Sequence, residues 1–178
     1  MKIAVSNIPD EGLDLRFSKD RGWFARNLTD HPEACTCSSD IEVSCRLKRL
    51  NDHVFLDGSV TTVLELVCCR CLEPATLSID AAFRYTLAPF PESQEREVEL
   101  AGDDLECGFY REDMIDLDPL IFEQICLQIP IKALCRESCR GLCPRCGSNL
   151  NQGDCRCRNS EIDGRFEVLK NLKIGKRE

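Results

Sequence analysis

The chain has 178 residues and a formal net charge of −8, with 31 Asp and Glu against 23 Lys and Arg. That length holds one domain, or one domain with a small appendage. The overall acidity excludes a general polyanion binder, whose field must attract phosphate at long range. Fourteen cysteines against two histidines pose a choice between disulfides in an oxidising compartment and metal ligation by reduced thiols. The opening residues, Met1 to Asp10, lack the apolar core of a secretory signal, and Met1 suggests the encoded start. No stretch approaches the roughly 20 apolar residues of a membrane span. We therefore expect a cytoplasmic protein with reduced thiols and no membrane association, which favours metal.

Ile3 and Val5 alternate with polar residues, and Ile8-Pro9-Asp10-Glu11-Gly12 reads as a turn. A short helix or loop carries Trp23 and Phe24. From Ile41 the period becomes two: Ile41, Val43, Cys45 and Leu47 share one strand face. Asp57-Gly58 then reads as a turn, after which Val60, Thr62, Leu64 and Leu66 share a face. The clearest strand follows, with Leu77, Ile79, Ala81, Phe83, Tyr85 and Leu87 in strict alternation. Between these two strands lies Cys68-Cys69-Arg70-Cys71-Leu72-Glu73-Pro74, a tight connection. Residues 1–90 thus predict an antiparallel β unit with one face on a core.

Residues 90–106 carry seven acidic side chains and predict a mobile acidic loop, with room for a short strand at Val98–Leu100. A strand is expected at Cys107–Arg111. Asp116 or Asp118 can cap a helix that tolerates Pro119 in its first turn and buries Leu120, Ile121 and Ile125, with Pro130 as its stop. Residues 131–160 show no periodicity. Asp163 caps a last short helix with Phe166, Leu169 and Leu172 on one side.

Six cysteines fall in that aperiodic stretch: Cys135, Cys139, Cys143, Cys146, Cys155 and Cys157. In Cys143-Pro144-Arg145-Cys146-Gly147 a Cys-x-x-Cys turn points both sulfurs one way, and Gly147 can take the positive φ that completes the knuckle. Cys155 and Cys157 can complete four thiolates, although Cys-x-Cys is the less usual pair and Cys135 or Cys139 could replace one of its members. The segment is too poor in apolar groups to fold alone, so metal binding would supply on the order of 10 kcal/mol of folding free energy. Cys68 and Cys71 form a second Cys-x-x-Cys, so eight cysteines divide into two sets: Cys143, Cys146, Cys155 and Cys157 in one, Cys68, Cys71, Cys135 and Cys139 in the other. An all-thiolate site is coordinatively closed, which makes the expected Zn2+, one ion or two, structural. His31 and His53 lie far off in sequence, and Cys35, Cys37, Cys45, Cys69, Cys107 and Cys126 read as core or incidental thiols.

The charge is divided. Residues 1–130 hold 25 acidic and 12 basic side chains, residues 131–178 hold 6 and 11. Arg140, Arg145, Arg156 and Arg158 surround the cysteines and are candidates for RNA phosphate contact. They equally suit the formal −2 of a four-thiolate zinc. No aromatic is interleaved with them, so a stacking platform is not indicated.

The turn Cys68-Cys69-Arg70-Cys71-Leu72, the segment Ile115-Asp116-Leu117 leading to Glu123-Gln124-Ile125-Cys126-Leu127-Gln128-Ile129-Pro130, and the run from Leu134-Cys135 through Cys139-Arg140-Gly141-Leu142-Cys143-Pro144-Arg145-Cys146-Gly147-Ser148-Asn149-Leu150-Asn151 resemble the YceD family. The resemblance implies a part in accumulation of large-subunit ribosomal RNA, hence in large-subunit assembly, with no established catalytic residues. The expected architecture is α+β: a β-rich domain with one core helix over residues 1–130, and a zinc-ribbon-like module with a C-terminal helix over 131–178. The expected role is non-enzymatic, by binding ribosomal RNA or a ribosomal protein, with no small-molecule substrate. The rival reading is a zinc-thiolate redox sensor or chaperone.

Overall fold

Two long strands pair residue for residue from Val54↔Leu87 to Val67↔Pro74 and form the spine of the molecule. The structure, a computed structural model, describes residues 1–28, 35–90 and 107–157. In chain order the elements are β1 (Lys2–Ala4), β2 (Leu13–Lys19), α1 (Arg21–Asn27), β3 (Cys35–Cys37), β4 (Ile41–Leu50), β5 (His53–Val67), β6 (Pro74–Pro89), β7 (Cys107–Tyr110), β8 (Met114–Asp116) and α2 (Leu117–Gln128). The main sheet runs β2-β4-β5-β6-β7, and β3 continues the β4 edge of β5. Where β3 hands over to β4, the Ser39 hydroxyl takes the missing partner's place and accepts from Val63 N at 2.9 Å. A small antiparallel pair, β1 with β8, joins the first residues to the start of α2.

The alternation read from sequence is the burial pattern of the sheet. Ile41, Val43, Cys45 and Leu47 of β4, Val60, Thr62, Leu64 and Leu66 of β5, and Ile79, Ala81, Phe83 and Leu87 of β6 all turn inward. They meet Leu117, Ile121 and Ile125 of α2, while Trp23 and Phe24 of α1 close on Phe122 with ring centroids 6.3 and 5.2 Å apart. Asp116 caps α2, its Oδ1 accepting from Asp118 N at 3.2 Å. The other sheet face is polar. Across four strands the register aligns Asp14, Arg46, Asp57 and Arg84, alternating in sign. Arg46 Nε lies 3.8 Å from Asp14 Oδ1 and Arg84 Nε 2.6 Å from Asp57 Oδ1. Such exposed pairs each contribute up to about 1 kcal/mol, and a slip of register would lose them.

One expectation is corrected. Asp57-Gly58 is not a turn: it lies inside β5, and the β4–β5 turn is Asn51-Asp52, closed by the pair Leu50↔His53. Asn51 takes φ 54, which Asn tolerates better than most residues. Gly58 serves packing instead, because a Cβ there would stand 2.5 Å from Phe83 Cζ. Within the described part of residues 1–90 the sheet pairings are antiparallel, as expected, and β7, beyond that stretch, adds a strand parallel to β6. The sheet-dominated α+β class stands, as a mixed sheet. Among the described residues no helix is long and apolar enough to cross a membrane. The expected acidic loop with its strand at 98–100, the C-terminal helix, His31 and Arg158 lie outside the described residues.

Candidate metal centre

At the far end of the β5–β6 hairpin the chain turns through Cys68-Cys69-Arg70-Cys71-Leu72, and the segment following α2 folds back onto that turn. Three hydrogen bonds fix the contact: Cys69 N to Ala133 O at 2.9 Å, Leu142 N to Arg70 O at 3.0 Å, and Arg70 Nη1 to Cys139 O at 2.8 Å. This brings Cys68 and Cys71 together with Cys135 and Cys139 as the first tetrad. Cys143, Cys146, Cys155 and Cys157 form the second, and within each tetrad all four sulfurs lie within 4.8 Å of one another. None of these eight cysteines is disulfide-bonded.

The spacing can be tested against a metal. Four sulfurs at about 2.3 Å from a tetrahedral ion stand about 3.8 Å apart. Cys68 Sγ and Cys139 Sγ are 3.8 Å apart, and Cys71 Sγ and Cys135 Sγ 3.6 Å. Both tetrads can therefore hold a metal ion through thiolates alone, with no coordination position left for substrate or water.

Local backbone geometry explains why the thiols converge. Both Cys-x-x-Cys turns are followed by a residue with positive φ, Gly147 at 72° and Leu72 at 63°. Gly147 is suited to that conformation. Leu72 carries a Cβ into it and is also exposed, so the first knuckle is strained where the second is not. The second knuckle is a small hairpin closed by Cys143 N to Ser148 O at 2.8 Å and Gly147 N to Cys143 O at 2.9 Å.

The charge of the thiolates is met by donors. Cys68 is buried, yet the N–H groups of Cys135, Arg70 and Cys71 bring its pKa down to about 6. The Asn151 side chain, 3.3 Å from Cys139 Sγ, lowers Cys139, with help from Gly141 N–H. In the second tetrad the N–H groups of Cys146 and Arg145 lower Cys143, and the Ser148 hydroxyl and N–H bring Cys146 down to about 6. The remaining members move the other way. Cys71 and Cys155 are raised despite N–H donors at Glu73 and Cys157, because neighbouring sulfurs compete for the negative charge. Loss of water and the adjacent thiols push Cys135 up to about 12, and Cys146 with its neighbours pushes Cys157 up to about 12. Four thiolates in one tetrad thus require a cation among them.

The candidate arginines separate. Arg140 is paired with Asp154. Arg145 and Arg156 stand between the cysteines of the second tetrad, exposed and with no ion-pair partner among the described residues. Sequence reading assigned no role to Arg70 or Asn151. Arg70 sits inside a knuckle, which is a usable signal, whereas nothing in the spacing marks Asn151. Of the other thiols, Cys35 and Cys45 are buried, Cys37 and Cys126 half-buried and Cys69 exposed, and none joins a tetrad.

A family described as "Large ribosomal RNA subunit accumulation protein YceD" matches residues 56–173, which include all eight tetrad cysteines. That description names accumulation of an RNA and no catalysed reaction. An Arabidopsis thaliana protein named "Large ribosomal RNA subunit accumulation protein YCED homolog 1, chloroplastic" is 29% identical over 97% of this chain and 57% of its own length. Its Zea mays namesake is 31% identical over 68% of this chain and 50% of its own length. An uncharacterized Mycobacterium tuberculosis protein is 29% identical over 72% of this chain and 60% of its own. The chain thus spans about half to three-fifths of the length of these relatives. No solved structure matches it.

Proposed function

The chain belongs to the YceD family, and from that premise we propose that it supports accumulation of large-subunit ribosomal RNA as a non-enzymatic assembly factor in the cytoplasm. Family membership is the observation that carries this reading. In it, each tetrad holds one structural Zn2+, the ion that a tetrahedral all-thiolate donor set fits best. Residues 1–130 form the β-rich domain, and residues 131–178 form a zinc-ribbon-like module that the first zinc pins to the β5–β6 turn. The zinc supplies cross-linking and no chemistry, because its coordination is closed.

Binding is placed at the module. Arg145 and Arg156 carry positive charge that no described side chain neutralises, and they face solvent, so they are cations available, with the exposed Lys132 and Arg136, for ribosomal RNA phosphate or for an acidic surface of a ribosomal protein. Arg140 contributes less, being held by Asp154. The test is co-sedimentation of the purified protein with large-subunit precursors at low and moderate salt, beside Arg145→Gln/Arg156→Gln. We expect association that the double variant weakens, with a salt dependence shallower by about one unit of slope for each phosphate that is no longer neutralised. Failure to associate at low salt would refute the binding model.

Exposure of Cys135 and Cys146 supports a second reading, the zinc-thiolate redox sensor or chaperone, since an oxidant can reach a ligand in each tetrad. Mild peroxide that releases zinc would favour it, and a metal inert to peroxide would count against it.

A further inference from the structure

One side chain of the second tetrad's loop reaches a sulfur of the first tetrad. Asn151 lies in the second tetrad's loop, between Cys146 and Cys155, but its amide serves the first. Asn151 Nδ2 is 3.3 Å from Cys139 Sγ, and Asn151 Oδ1 accepts from Arg140 N at 2.8 Å. The orientation of the amide follows from these partners, because a backbone N–H can only donate and a thiolate can only accept. Two further bonds hold that loop against the first site. Leu150 N donates to Gly141 O at 2.9 Å, and Asn149 Nδ2 donates to Glu73 Oε1, just past the first knuckle, at 3.3 Å. Gly141 stands at the crossing: its N–H serves Cys139, and at φ 75 a Cβ would come within 3.0 Å of Arg70 O.

On the reading that both tetrads bind metal, we infer that Asn151 is a positioning residue that couples them. Metal in Cys143, Cys146, Cys155 and Cys157 closes the loop that carries Asn151. The closed loop then presents Nδ2 to Cys139 and strengthens the first site. Groups that hydrogen-bond to a metal ligand in this way typically control 10- to 100-fold in affinity. Coupling of binding is reciprocal, so metal in the first site must strengthen the second by the same factor.

The test uses the full chain and zinc alone, titrated against a chromophoric chelator. Cys143→Ser/Cys146→Ser leaves only the first site and Cys68→Ser/Cys71→Ser leaves only the second. The product of the two affinities of the unmodified chain should exceed the product of these single-site affinities by about tenfold or more. Asn151→Ala keeps all eight thiols and should still bind two zincs, with most of that excess gone. Combined with Cys143→Ser/Cys146→Ser, Asn151→Ala should cost little more, because the loop no longer presents the amide. Two zincs bound with no excess in the product would overturn the coupling and leave the metal sites standing. An excess that Asn151→Ala leaves intact would overturn the role of Asn151. No zinc in the unmodified chain, purified reduced and without chelator, would overturn the metal reading itself.

Discussion

Loss of the first tetrad should loosen the whole chain, whereas loss of the second should not. The first tetrad connects residues 68 and 71, at the tip of the central hairpin, to residues 135 and 139, beyond the core helix. A cross-link from residue 71 to residue 135 closes a loop of about 65 residues, and the chain-entropy relation for such closures gives about 4 kcal/mol. The second tetrad closes only the 15 residues from 143 to 157, about 3 kcal/mol by the same relation, and that constraint stays within its own loop. For a chain of this size, 1 kcal/mol shifts the melting temperature by about 2–4 °C. With zinc in excess, Cys68→Ser/Cys71→Ser should therefore lower the melting of the sheet by about 8–16 °C, a range that rests on the loop closure and the size scaling together. Under the same conditions Cys143→Ser/Cys146→Ser should move it by only a few degrees. The assay is far-UV circular dichroism at the β-sheet minimum, with thiols kept reduced and zinc measured per chain. Equal shifts for the two pairs, or no shift for the first, would refute the assignment of the first tetrad as the clasp between hairpin and module.

Gly58→Ala should destabilise the protein by about 1–3 kcal/mol, as overpacking does, although Ala ordinarily outperforms Gly in a strand. Its Cβ meets the Phe83 ring, so Phe83→Leu should recover part of the deficit in a double-mutant cycle of urea unfolding. Zinc uptake should release at least two protons per tetrad at neutral pH, because Cys71 and Cys135, and Cys155 and Cys157, are held above the ordinary thiol range. A proton displaced on binding means that affinity rises with pH. Between about pH 6, where Cys68 and Cys146 titrate, and the range of the raised thiols, zinc affinity should therefore fall by at least two decades for each unit of pH decrease. Calorimetry in buffers of different ionisation enthalpy measures the proton count, and a count near zero would contradict the picture of half-protonated tetrads.

The parts of the fold that were legible were those where one physical demand controls the residue type. Ile41 to Leu47 and Leu77 to Leu87 alternate because each strand has a single buried face, and that face is visible in the sequence without any partner. The grouping of the eight cysteines was legible for a similar reason. A Cys-x-x-Cys turn directs two sulfurs to one side, and each of the two such turns needs one more pair of nearby cysteines to complete a set of four. Asp57-Gly58 misled because glycine answers two demands, a positive φ or an absent side chain, and here the ring of Phe83 required the second. The parallel pairing of β7 with β6 depends on how the chain returns to the sheet, which the residues of a four-residue strand do not encode. Asn151 carries no such mark because its partner is the other tetrad, and its neighbours in sequence give no sign of that contact.

The length of the β5–β6 hairpin has an electrostatic consequence. With 15 and 16 residues in its two strands, at about 3.3 Å per residue, it spans roughly 50 Å. Arg145 and Arg156 belong to the module docked at its Cys68–Cys71 end, while the acidic stretch 91–106 leaves the sheet at Pro89 and rejoins it at Cys107, at the opposite end. The Debye length is about 8 Å at physiological ionic strength, so the attachment points of the two charged regions are separated by about six screening lengths. At those roots neither charge quenches the other. An interaction at Arg145 and Arg156 and one beside Pro89 and Cys107 can therefore each be titrated with salt as a separate interaction.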